Sequence, residues 1–116
     1  MLDRWLALIA RVSDDFHPDA AREVFADLFA RYTAADRRYH DIRHIDACLR
    51  LLDSVHGLAR HPDFVELAIW FHDAVYDSRR SNNEESSAYL AVDALSHLGV
   101  PHDTTRLVPH GMIRTQ

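Results

Sequence analysis

Residues 64–75 read FVELAIWFHDAV. Placed on a helical wheel, the apolar side chains of Phe64, Val65, Leu67, Ala68, Ile69, Trp70, Phe71, Ala74 and Val75 go almost all the way round. Such a helix has no face to give to water, so it belongs at the centre of a layer of other helices. It also sets a problem, because His72 and Asp73 lie inside it. A buried charge costs several kcal/mol unless it is paired or bound to a metal. Either the pair turns outward at the last helical turn to hydrogen-bond with neighbours, or an ion is its partner.

The rest of the chain supplies the surrounding layer. Leu2, Trp5, Leu6, Leu8, Ile9 and Val12 recur at three and four, predicting a helix over 2–13. Pro18 sits in the first turn of a second, whose apolar face is Val24, Phe25, Leu28, Phe29 and Tyr32. Asp41 is an N-cap for a third, which uses Ile42, Ile45, Leu49, Leu52 and Val55 and stops near Gly57. The apolar helix is the fourth, starting near Asp63. Asn82 or Ser81 caps the fifth, each with a glutamate three residues on (Glu85, Glu84), and Gly99 ends it. A sixth starts near Asp103 and runs to the chain end. No strand alternation, repeat or low-complexity segment interrupts this pattern. The expected fold is all-α: a compact bundle of about six helices, one domain over residues 1–116.

Composition removes several classes of function. The net charge of −5 argues against a nucleic-acid partner, which needs a basic surface. All 13 cationic residues are arginine, so Schiff-base and phosphate-loop lysine chemistry are excluded. The three glycines stand apart and form no phosphate cradle. No apolar run approaches the ~20 residues that span a bilayer. MLDRWLALIARVSDD reads as an amphipathic helix rather than a signal peptide, so the expected location is cytoplasmic, with no membrane partner. Cys48, the single cysteine, lies in an apolar helical pattern and reads as a buried core thiol.

A second histidine reaches the same end of the fold as His72. A short link between the third and fourth helices implies an antiparallel pair. His44 is 13 residues from Gly57, and His72 is 10 from Pro62. Three residues of helix rise are only about 4.5 Å. His44 and His72 therefore emerge together, within reach of one ion. His40, four before His44, reads as a contact to a ligand side chain or to substrate, from the loop that precedes the Asp41 cap.

RYHDIRHIDACLRLLD, ELAIWFHDAVYD and NNEESSAYLA, in that order along the chain, resemble the small predicted metal-dependent phosphohydrolases of the HD superfamily. A lone histidine followed by an adjacent His-Asp pair is that family's signature. The resemblance implies that His44, His72 and Asp73 are metal ligands. In the family a later aspartate completes the set, beyond a block like VPHGMIRTQ. This sequence stops within that block, so the resemblance implies an HD domain lacking its C-terminal part. Asp93 and Asp103 do not take the place of that aspartate. Asn83 and Glu84 are implied to line the site. Asp77 matches the aspartate of a Glu-Asp pair in the HD enzymes that hydrolyse the stringent-response alarmone. Tyr76 replaces the glutamate, so a water-orienting role for Asp77 is expected but alarmone hydrolysis is not.

Two imidazoles and a carboxylate suit one divalent transition ion, Mn, Fe, Co, Ni or Zn, rather than calcium. The expected function is a metal-dependent phosphohydrolase. It would act on a nucleotide or other small phosphoester through a metal-activated water, with Asp73, Asp77 and Glu84 as acid–base groups. Arginines of the polar loops, Arg37, Arg38, Arg43, Arg79 and Arg80, could grip phosphate. The alternatives are a non-catalytic HD-fold module that binds a ligand or protein, and an incomplete fragment of the enzyme.

Overall fold

In the computed structural model, which describes residues 1–37, 40–77 and 79–109, the periodicities become six α-helices and one 3-10 turn. In chain order these are α1 (Leu2–Val12), α2 (Pro18–Tyr32), α3 (Ile42–Val55), the 3-10 turn His56–Leu58, α4 (Pro62–Phe71), α5 (Asn83–His97) and α6 (His102–Thr105). There is no strand among the described residues. The fold class is all-α. No helix there is long and apolar enough to cross a membrane.

The all-round apolar helix takes the central place. Every residue from Glu66 to Phe71 is buried. α4 packs on α3 and on α5, while α1 packs on α2. Trp5 of α1 meets Trp70 and Phe71 edge-on, at centroid distances of 5.5 and 6.0 Å, and Phe25 of α2 meets Trp70 at 5.9 Å. Edge-to-face rings add to the area they bury. The Trp5 indole also donates to the Ala21 carbonyl at 2.8 Å, which ties α1 to α2 within the core.

Polar contacts fix α4 at both ends. Near its start, Glu66 is only 5% exposed and receives two bonds from the Arg4 guanidinium, at 3.1 and 3.2 Å. Near its end, the buried Tyr32 hydroxyl donates to the Trp70 carbonyl at 2.8 Å.

The structure departs from the sequence reading at four places. α4 stops at Phe71 rather than running through Val75, and His72 is its C-cap. The reason is tertiary: Arg37 binds the Asp73 and Ala74 carbonyls, and the Ser87 hydroxyl bonds both the N–H and the carbonyl of Val75. Asn82 is the N-cap of α5 but makes no side-chain cap bond, so the expected capping box is not formed. Its neighbour Asn83 instead pairs with the Asp77 main chain, accepting from its N–H at 3.1 Å and donating to its carbonyl at 3.0 Å. α6 is one turn long, with Asp103 inside it rather than at the cap. Residues 110–116 of the expected sixth helix lie outside the described residues, as does Arg38. Cys48 is half-buried rather than a core thiol, with its sulfur 3.7 Å from His44 Nε2.

Candidate metal centre

Asp41 places the first histidine. Its carboxylate accepts the Arg43 N–H at 3.0 Å, an N-cap bond that starts α3 and sets His44 in the first turn. α4 delivers His72 and Asp73 from the opposite direction, and the loop before α3 brings His40. The ring centroids of His40 and His44 are 5.3 Å apart, and those of His44 and His72 are 5.6 Å apart.

The Asp73 carboxylate is the focus. Its Oδ2 lies 2.7 Å from His40 Nδ1 and 3.0 Å from His72 Nε2. His40, His44 and Asp73 each offer a donor atom within 4.8 Å of the other two. The sequence had grouped His44, His72 and Asp73, with His40 outside. The structure places all four together, and His40 is the one that joins the close triplet.

The proton positions on His72 follow from its neighbours. Its Nδ1 lies 2.7 Å from the Ile69 carbonyl, which can only accept, so Nδ1 carries the hydrogen. In the neutral ring Nε2 is then a lone pair, 3.0 Å from a carboxylate oxygen. Two acceptors at that separation need a proton or a cation between them. A backbone carbonyl behind the ring is also the usual way a ligating histidine is oriented.

Asp73 Oδ2 is buried, yet no donor among the described residues points at it well enough to form a hydrogen bond. His40 Nδ1 and His72 Nε2 lie at ion-pair distance from it. A buried carboxylate oxygen left in this state is costly. Nitrogen and oxygen donors converging without bonding one another suit a divalent ion of the borderline class.

Burial acts to lower the His72 pKa, but the close Asp73 carboxylate and the Ile69 carbonyl outweigh it, so the imidazole is raised above its ordinary value. His44 is lowered, first by burial and then by the other histidines. Burial would raise Asp73, but His72, His40 and His44 together hold it below the usual carboxylate range.

These groups open into a cavity of about 400 Å3 lined by His40, His44, His72, Asp73, Tyr76, Asn83 and Glu84. Glu84 and Asn83 thus line the cleft, although both polar groups of the Asn83 amide are already committed to Asp77. Asp77 is not a lining residue. Its carboxylate accepts the Arg79 N–H at 3.0 Å and lies 3.4 and 3.7 Å from Arg79 Nε and Arg80 Nε. The Arg79 amide, and then the guanidinium groups, hold it below its ordinary range. Arg43 grips Asp41 through Nε and Nη2, at 3.0 and 2.8 Å, and also stands away from the cleft. No arginine lines the cleft among the described residues.

Two residues at the site were not read from the sequence in their actual roles. Ser87 lies within the quoted NNEESSAYLA and locks Val75 to α5; its signal was a serine on the stripe Ser87, Ala91, Leu95. Tyr76 stands at the cleft wall, 42% exposed. Comparison of the chain with protein-family models, with curated proteins and with solved structures gives no match.

Proposed function

We propose that this chain is a metal-dependent phosphohydrolase of the HD type, acting on a nucleotide or other small phosphoester. The observation that carries the reading is the Asp73 oxygen, buried among three imidazoles without a directed hydrogen bond. His44, His72 and Asp73 would hold one divalent ion (Mn, Fe, Co, Ni or Zn), with His40 at its edge. When bound, such an ion activates water and polarises a phosphoryl oxygen.

The chain's own groups divide the remaining work. His72 is locked in its tautomer by Ile69, so its Nε2 is presented without a search over rotamers. Glu84, across the cleft, can accept a proton or hydrogen-bond a substrate hydroxyl. Asp77 is engaged by Arg79 and Arg80, so its contribution is to order the 77–83 loop. At 400 Å3 the cavity is of the size that takes a small organic phosphate. A cytoplasmic setting accords with this chemistry and with the single cysteine.

A second reading, a non-catalytic HD-fold module that binds a ligand or a protein, is favoured by one observation. The arginines expected to hold phosphate are engaged elsewhere: Arg37 on carbonyls, Arg43 on Asp41, and Arg79 and Arg80 on Asp77.

Elemental analysis of the purified chain beside His44→Ala and His72→Ala separates the outcomes. About one transition-metal ion per chain, lost in both variants, supports the centre. Turnover of small phosphomonoesters by the loaded chain then supports the enzyme, and binding without turnover supports the module. A parent chain that takes up no Mn or Zn refutes both forms of the metal-site reading.

A further inference from the structure

We infer that Arg37 is a positioning residue of this centre, fixing the His40 loop and the His72–Asp73 turn to one another. The inference rests on the metal-site reading above. Arg37 Nη1 donates to the Asp73 carbonyl at 2.6 Å and to the His40 carbonyl at 3.2 Å, and Nη2 donates to the Ala74 carbonyl at 2.8 Å. The guanidinium carbon lies 5.2 Å from the ring centre of Tyr32 and 5.7 Å from that of Tyr76. One planar cation therefore joins two segments 36 residues apart.

The chemistry requires an arginine. The Asp73 and Ala74 carbonyls lie in the turn just beyond the α4 C-cap, where no helical N–H takes them, and a buried carbonyl there needs a donor. A guanidinium carries five donors in a rigid plane that can bridge carbonyls from two segments while its faces meet aromatic rings. An ammonium group has neither the fork nor the flat face. The side-chain atoms at issue, His40 Nδ1 and Asp73 Oδ2, are 2.7 Å apart, and the carbonyls of the same two residues share Arg37 Nη1. Arg37 touches none of the donor atoms itself. It acts by holding the two backbones that carry them, and by seating Tyr76 at the cleft wall.

The test is Co2+ titration of the full chain, Arg37→Lys and Arg37→Met, followed by visible absorption. It is run at a temperature where circular dichroism shows each variant folded. The visible bands report the geometry of the ligands, which loss of stability alone would not move. The expected result is a Kd weakened about 10–100-fold in Arg37→Met, as for loss of other outer-shell partners. Its bands should be altered, Arg37→Lys should fall between, and added guanidinium should restore part of the parent spectrum. A folded Arg37→Met with the parent's Kd and bands overturns the inference. Should that variant fail to fold, Arg37→Lys decides in the same way, with parent-like binding as the overturning result. A parent chain that binds no Co2+ overturns the metal-site reading itself, which is a separate failure.

Discussion

Arg4→Met tests how α4 is held in place. The Arg4 guanidinium forks twice, to Asp53 at 2.8 and 2.9 Å and to Glu66 at 3.1 and 3.2 Å. The two halves are unequal. Asp53 is largely exposed, and a pair of that kind contributes at most about 1 kcal/mol. Glu66 is 5% exposed, so methionine would leave a buried carboxylate without its cation. Breaking a buried pair costs about 3–5 kcal/mol, and the partial exposure of Arg4 reduces this to roughly 2–4 kcal/mol. At ~2.1 cal/mol/K per residue, a chain of this length loses about 1 °C of Tm for every ~0.24 kcal/mol. The expected loss is therefore about 8–16 °C, read by thermal melts at neutral pH. Arg4→Met/Glu66→Leu should recover most of it, because two apolar side chains replace a desolvated pair at little cost. The double cycle should show a coupling of roughly 1.5 kcal/mol or more. A fall below about 3 °C, or single effects that add within ~0.5 kcal/mol, would refute the clamp.

Three further outcomes follow from named contacts. Tyr32→Phe removes the only hydroxyl on the Trp70 carbonyl that the structure shows, and should cost about 1–2 kcal/mol in a denaturant melt; an unchanged midpoint would mean that water reaches that carbonyl. Gly99→Ala should destabilise by at least ~1 kcal/mol, since φ is +78° and the new Cβ would stand 2.9 Å from the Asp15 carbonyl oxygen, whereas Gly57→Ala, with open space around it, should be neutral or stabilising by up to ~1 kcal/mol. Equal effects of the two glycine changes would contradict the backbone argument. Co2+ affinity should rise with pH: His72 is raised, so it keeps its proton to above the ordinary ~6.5, and the ion must displace that proton at every lower pH. His44, being lowered, gives up its proton earlier and steepens the loss only in more acid solution. The Kd should improve by up to about tenfold per pH unit below the His72 transition and level off above it, and a flat profile in isothermal titration would exclude His72 as a ligand.

The helices were legible because burial has a period. Trp5, Leu8 and Ile9 mark α1, and the unbroken apolar surface of 67–71 marks the centre. The ends were less legible because they are set by distant residues. Nothing in AIWFHDAV announces that Arg37 will take the Asp73 and Ala74 carbonyls, or that Ser87 will take both backbone groups of Val75. Asn82 with Glu85 satisfied a local capping rule, but the Asn83 amide found a better-matched partner in the Asp77 main chain. At the site, helix arithmetic brought His44 and His72 to one end of a hairpin, as observed. It could not place His40, whose approach to Asp73 depends on a loop. Arg37 and Arg43 looked like phosphate grips because a sequence does not show which carbonyls and carboxylates an arginine will find first.

The way α4 is anchored bears on what an ion would do for stability. Arg4 and Glu66 hold its first half, Tyr32 takes the Trp70 carbonyl in its last turn, Arg37 holds the turn just beyond it, and the Trp5–Trp70–Phe25 contacts lie between. None of these contacts involves the imidazoles. If these side chains are ligands, the apolar core prepositions them, unlike those of small domains that fold only around their metal. Chelation should leave the helical circular dichroism of the chain in place. Metal should then add only the linkage amount, about 2.7 kcal/mol at a hundredfold excess over Kd, or roughly 11 °C in Tm. His72→Ala should abolish that increment, measured against the variant's own metal-free melt, which loss of a buried ring and its bond to Ile69 lowers by about 1–3 kcal/mol. A chain that loses its helical signal on chelation would show the opposite order of events, with the ion organising α4 instead of the core organising the ion's ligands.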